Sequence, residues 1–202
     1  MARPAQTARS ERTREALRQA ALVRFLAQGV EDTSAEQIAA DAGVSLRTFY
    51  RHFTSKHDLL FADYDAGLHW FRAALAERPA TESILDSVQS AVLAFPYDVD
   101  AVTKIASMRA VELDPDRIVR HIRQVESDFA DAVAEQLVVR RGQVPPQGDD
   151  RLKIVVTARA VAAAVFGAME LWMVGDEAGE RSLPELARMC RTGLEALRTG
   201  LD

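Results

Sequence analysis

The stretch TSAEQIAADAGVSLRTFYRHFTSK, residues 33–56, decides how the rest of the chain is read. Ser34 precedes an Ile38, Ala39, Ala42 apolar stripe, and Gln37 stands three residues after it, the pattern of a reciprocal capping box. Gly43 then makes a turn that Val44 plugs, and Ser45 caps a second short helix. Phe49 and Phe53, four apart, bury one side of that helix, while Arg47, Thr48, Tyr50, Arg51 and His52 remain to be presented. Two short helices joined by a tight glycine turn form a helix-turn-helix, whose second helix enters the DNA major groove.

Working outward, Leu17, Ala20, Ala21 and Phe25 form a stripe that predicts a helix from about Ser10 to Gln28, stopped by Gly29. Residues 1–9 are expected to be a flexible arm. The first 24 residues carry six arginines and two glutamates, which suits a DNA-backbone or minor-groove contact as well as a solvated terminus. Downstream, Ser55 is expected to cap a longer helix reaching Arg78-Pro79. Further helices are expected around Ile84–Phe95, from Val102 to Leu113, from the Asp114-Pro115 start signal through Gln136, over 151–174, and from a Ser182 cap to Leu197. GQVPPQG, 142–148, reads as a loop. Runs of period-two β-branched or aromatic residues are few, so the fold class is all-α. The expected division is 1–57 as the DNA-binding head and 58–202 as a larger helical domain.

The net charge of −5 is unevenly spread. Residues 1–57 hold nine Arg and Lys against six Asp and Glu, a formal +3, and the remainder holds 16 basic against 24 acidic residues, a formal −8. A basic end and an acidic body suit a protein that approaches phosphate with one end. The lone cysteine, Cys190, excludes an intramolecular disulfide and fits a reducing, cytoplasmic setting. MARPAQTARSERTR has no apolar centre and does not read as a secretory signal. Ala160 to Met169, lying between Arg159 and Glu170, is short for a bilayer crossing, so the helix over 151–174 is expected to be covered on nearly all sides and no membrane partner is expected.

The head resembles the tetracycline-repressor (TetR) family of bacterial transcription regulators. The resemblance rests on Ala20-Ala21, Phe25, Gly29, Thr33-Ser34, Ile38-Ala39, Ala42-Gly43-Val44-Ser45, Thr48 to Phe53, Ser55-Lys56 and Leu59-Leu60, ungapped over about residues 14–60. It implies a ligand-responsive homodimeric repressor on a palindromic operator, with a carboxy-terminal domain that binds a small molecule and pairs through its last two helices. It also implies that Tyr50 and His52 touch the DNA backbone and that Arg47 and Arg51 occupy the positions that set sequence preference.

The candidate DNA contacts are Ser34, Ser45, Arg47, Thr48, Tyr50, Arg51, His52 and Lys56. An arginine bonds bidentately to guanine O6 and N7, a contact worth about 1–3 kcal/mol of discrimination; phosphate pairing is the other reading of Arg47 and Arg51. Lys56 is expected to reach phosphate. Phe95, Met108, Phe129, Phe166, Met169 and Trp172 suit an apolar ligand pocket, with Arg109, His121 and Glu170 as polar contacts; ordinary core is the other and stronger reading of each apolar residue, and helix-surface pairing explains the polar ones equally well. The expected ligand is small and hydrophobic. The small-residue run 160–168 suits a dimer seam with the final helix, tight packing within one subunit being the other reading. His52, His57, His69 and His121 show no metal-ligand spacing and no nucleophile motif appears, so no metal, cofactor or enzymatic activity is expected. DNA binding without an inducer and an α-helical enzyme, for example a small-molecule hydrolase, are the alternative functions.

Overall fold

Nine α-helices and a short 3-10 helix account for nearly all of what the computed structural model describes, residues 4–95, 98–142, 146–174 and 183–200. Among these residues there is no strand, so the fold is all-α. The helices are α1 Pro4–Gln28, α2 Ala35–Asp41, α3 Leu46–His52, α4 Ala62–Ala76, α5 Ile84–Leu93, α6 Val99–Glu112, α7 Pro115–Arg140, α8 Gly148–Val174 and α9 Leu183–Thr199, with the 3-10 helix at Lys56–Phe61 before α4. The Ser182 cap and residues 143–145 of the expected loop lie outside the described residues.

Two helix boundaries differ from expectation. α1 starts at Pro4, six residues before Ser10 and inside the expected arm: proline is well tolerated at the first helical position, and the alanines, glutamine and arginines that follow are sound helix formers. The helix expected from Ser55 is instead a 3-10 turn followed by α4. There Asp58 bends back, its Oδ2 accepting the backbone N–H groups of Thr54 (2.7 Å) and Ser55 (3.0 Å), which tightens the first turn. Two compact units make up the chain, one comprising Met1–Tyr64 with Asp100–Val119 and the other Asp65–Val99 with Arg120–Asp202, so α6 and the start of α7 pack with the head.

In the first unit Leu17, Ala21 and Phe25 of α1, Ile38 and Ala39 of α2, Phe49 of α3 and Leu59-Leu60-Phe61 are buried. Gly29 (φ 86°) and Gly43 (φ 66°) take the left-handed conformation that ends a helix or makes a tight turn, and a side chain at either would be strained. α6 carries a buried arginine: Arg109 is 3% exposed. Its Nε donates to Leu60 O (2.8 Å), its Nη2 to Asp63 Oδ1, and its guanidinium lies 4.6 Å from the Tyr64 ring centre and 5.4 Å from that of Phe61.

The second unit is organised around Phe129 of α7, stacked at 3.8 Å on Phe71 of α4 and edge-on at 5.6 Å to Phe166 of α8. Val88, Ala91, Val133, Ala158, Val161, Val165 and Leu194 complete this core. α7 starts where Asp114-Pro115 predicts, with Asp114 Oδ1 accepting the backbone N–H of Asp116 (2.9 Å). The run 160–168 approaches α9 of its own chain, where a Cβ on Gly193 would stand 2.9 Å from Ala164 O. Tight packing within one subunit is therefore one use of those small residues.

α8 is not covered on all sides. Only 33% of its most apolar stretch is buried, and Leu152, Val155, Val156 and Leu171 (67% exposed) are bare along its outer side. By length and composition α8 would suffice to cross a membrane, but its other face packs on α9 through Ala168, Leu186 and Cys190, and Arg159 and Glu170 are exposed on the outer side among the apolar residues.

Candidate nucleic-acid interface

Local caps hold the two short helices of the motif. The backbone N–H of Gln37 donates to Ser34 Oγ (3.2 Å), and Gln37 Oε1 accepts the Ser34 N–H (2.8 Å). At α3 the Thr48 N–H donates to Ser45 Oγ (3.2 Å), and the two hydroxyls lie 3.0 Å apart. α1 is tied to α2 by Arg24, whose Nη2 donates to Asp41 Oδ1 (3.0 Å) while its Nε donates to Oδ2. Hydrogen bonding from Arg24 holds the Asp41 carboxyl below its usual range. No local pattern predicts that pair, because its members are 17 residues apart.

The hydrophobic side of α3 fixes what its other side presents. Phe49 is fully buried and Phe53 nearly so. Arg47, Tyr50 and Arg51 then fall on the exposed side at helical spacing, Tyr50 being 54% exposed with its ring edge-on to Phe49. Neither Arg47 nor Arg51 makes a hydrogen bond or ion pair among the described residues, and both cations remain available to a partner. Thr48 and His52 flank this side, half-buried. Burial, then the neighbouring charges of Arg51 and Arg14, push His52 below its ordinary value, so its imidazole is neutral near pH 7. Its Nε2 is buried with no protein partner among the described residues.

Beside α3 lies an open groove of about 570 Å³, lined by Glu31, Thr33, Ser34, Tyr50, Ser55 and Lys56 among others. It brings Ser34, Tyr50 and Lys56 together. Lys56 is less free than its sequence position suggests: its Nζ donates to Val30 O (2.7 Å) and Glu31 O (3.2 Å), leaving one proton of the ammonium for a phosphate. Lys104, which sequence reasoning passed over, likewise donates to Leu26 O at the end of α1.

The residues expected to line a ligand pocket divide between the two units. Met108 and Arg109 belong to the first, where the Arg109 guanidinium donates to Leu60 O and Asp63 Oδ1 and lies against two aromatic faces. A buried arginine on a helix is legible in sequence only as one more charged residue. The others belong to the second unit. Phe129, Phe166 and Met169 pack together in its core, Phe95 lies edge-on to Trp70 at 5.9 Å, and Glu170 is exposed. Trp172 packs on Ala168, Leu186 and Cys190, with its Nε1 buried and without a protein partner among the described residues.

A capped three-helix head, a glycine turn and a second helix offering unpaired arginines define a helix-turn-helix DNA-binding protein. Residues 17–62 match the family model described as bacterial regulatory proteins, tetR family. The chain is 37% identical over 163 residues to the HTH-type transcriptional regulator TcmR of Streptomyces glaucescens, covering 76% of this chain and 71% of TcmR. The fold is that of Thermus thermophilus FadR, a TetR-family repressor solved with lauroyl-CoA, at a TM-score of 0.59 and 21% identity over 94% of this chain and 95% of that one. It is also that of SmeT, the repressor of the SmeDEF multidrug efflux pump of Stenotrophomonas maltophilia, at 0.54 and 22% over 92% and 88%. The chain belongs to the tetR family of bacterial regulatory proteins and is a DNA-binding transcriptional regulator.

Proposed function

We propose that the chain acts in the cytoplasm as a homodimeric repressor that releases a near-palindromic operator when a small hydrophobic ligand binds its second unit. The observation that carries this reading is the exposed side of α3, where Arg47 and Arg51 have no side-chain hydrogen bond or ion pair among the described residues to give up on meeting DNA. Two copies of α3 would enter successive major grooves about 34 Å apart. Arg47 and Arg51 would read base edges, Ser45 and Thr48 would approach the strand at the helix start, and Ser34, Tyr50, His52 and Lys56 would grip phosphates.

The bare stripe on α8 supports the dimer. Leu152, Val155 and Val156, near the start of α8, make an exposed apolar surface of the kind that a second copy buries. The ligand reading is supported by the aromatic and methionine content around Phe129, Phe166, Met169 and Trp172, and by the Trp172 indole N–H, which has no partner among the described residues and which a ligand oxygen would satisfy. FadR, with the same fold, holds lauroyl-CoA. Such a ligand would act only through a difference in its affinity for the DNA-competent and DNA-incompetent states.

One observation favours a regulator without an inducer. The stack of Phe71, Phe129 and Phe166 fills the middle of the second unit with protein side chains. Thermal-shift titration with long-chain acyl-CoAs and apolar drugs, paired with operator-release assays, separates the two. Stabilisation with release supports the ligand-relieved repressor, and a flat response to all of them supports the inducer-free reading.

A further inference from the structure

Glu31 in the α1–α2 loop, His57 in the 3-10 helix and Glu112 in the last turn of α6 place a carboxylate oxygen, an imidazole nitrogen and a second carboxylate oxygen within 4.8 Å of one another. We propose that these three side chains bind a divalent cation of the zinc class, and that the bound ion staples the end of α6 to the DNA-binding head. All three residues belong to the same compact unit. None of their side chains is committed to a hydrogen bond or ion pair among the described residues. The nearby ammonium of Lys56 is directed at the backbone carbonyls of Val30 and Glu31.

The donor set selects the ion. Zinc accepts imidazole nitrogen and carboxylate oxygen at roughly 2.0–2.2 Å, which places tetrahedral donors about 3.4 Å apart. Closing the 4.8 Å cluster to that spacing asks for a contraction of roughly 1.4 Å, a distance within the reach of glutamate side-chain rotation. Water would complete the coordination sphere, since Glu31 is exposed and the other two are half-buried. Magnesium, which favours oxygen donors and keeps its own water, is poorly served by a site whose central ligand is an imidazole. The expectation from sequence that the histidines form no metal site fails to reach this arrangement, because residues 31, 57 and 112 come from three separate segments.

Occupancy has an electrostatic consequence for the groove beside α3. Glu31 and His57 both line it, together with Tyr50, Ser55 and Lys56. Glu31, Asp32 and Glu36 line the groove and repel phosphate, and a divalent cation held by Glu31, His57 and Glu112 offsets part of that negative charge. Metal binding should therefore tighten DNA binding. This consequence rests on the groove facing phosphate; the metal site itself does not.

The test uses the full chain, stripped with EDTA and titrated with zinc chloride against a chromophoric chelator. One equivalent per chain is expected, with a raised melting temperature. Loss of groups that merely orient a metal ligand costs about 10–100-fold in affinity, so H57Q and E112Q should each lose at least tenfold. H69Q, altered at an exposed histidine outside the cluster, should bind as the wild type does. Equal zinc affinity in H57Q, E112Q and wild type, an equal loss in H69Q, or equal competition by magnesium overturns the site. Anisotropy titrations of operator DNA with and without zinc then test the coupling. Tightening in the wild type but not in E112Q supports it, and an unchanged affinity in the wild type overturns it.

Discussion

Replacing Arg109 with methionine keeps most of the side-chain volume and removes the charge from a residue that is 3% exposed. Its Nε–H bond to Leu60 O is a charged-donor bond in a dry setting, worth about 1.5–3 kcal/mol. The contacts with Tyr64 and Phe61 add about 0.5–2 kcal/mol. Breaking a buried ion pair from one side costs about 3–5 kcal/mol, since the partner is left uncompensated. Asp63, whose side chain is 21% exposed, is partly rescued by water, which places the net loss at the low end, about 3 kcal/mol. For a chain of this size that corresponds to about 6–12 °C in melting temperature. Urea unfolding followed by far-UV circular dichroism measures the loss, and R109M/D63N should recover part of it because no carboxylate is then left without its cation. Because Arg109 holds the Leu60 carbonyl where the 3-10 helix leads into α4, operator affinity should fall in R109M as well. A stability change under about 1 kcal/mol, with no recovery in the double variant, would refute the reasoning.

The other predictions concern separate parts of the molecule. Tyr50→Phe should weaken binding equally on operator and random duplex and leave the fold unchanged, whereas Arg47→Ala should relax preference at one base position by about 1–3 kcal/mol; competition titrations on single-base operator variants tell them apart. Val156→Glu should convert the dimer to monomer in sedimentation equilibrium, and a persistent dimer would remove the α8 stripe from the interface. Hydrogen bonds from Arg78, then from Ser87, hold the Glu82 carboxyl down to about 2 against an ordinary 4.5. A depressed carboxylate contributes stability that is complete above pH 4.5 and is lost as pH falls toward 2, so E82Q should melt below the wild type at pH 7 and the gap should close through that window. Burial pushes the Cys190 thiol up to about 11, so iodoacetamide at pH 8 should spare the native protein and label it in denaturant.

The head was legible in sequence because its signals are local. Ser34 with Gln37, Ser45 with Thr48, and Gly43 each act within three or four residues, and Phe49 with Phe53 mark the buried side directly. Pro115 likewise fixes the start of α7. What sequence could not supply was long-range pairing. Arg109 on Asp63, Arg24 on Asp41 and the Glu31, His57, Glu112 cluster join residues separated by 17 to 81 positions, and in the chain each reads as ordinary surface charge. The apolar character of α8 was plain, but composition alone could not tell a helix covered by its own chain from one leaving Leu152, Val156 and Leu171 bare.

The most direct measurement is an anisotropy titration of a labelled duplex from the region upstream of the protein's own gene, with wild type and the Arg47→Ala, Tyr50→Phe double variant compared from low to moderate salt. DNA binding through α3 of a dimer predicts saturable wild-type binding at two protomers per site, weakening as salt rises, and a large loss in the variant. Equal affinity of the two proteins, or no wild-type binding at low salt, would contradict it.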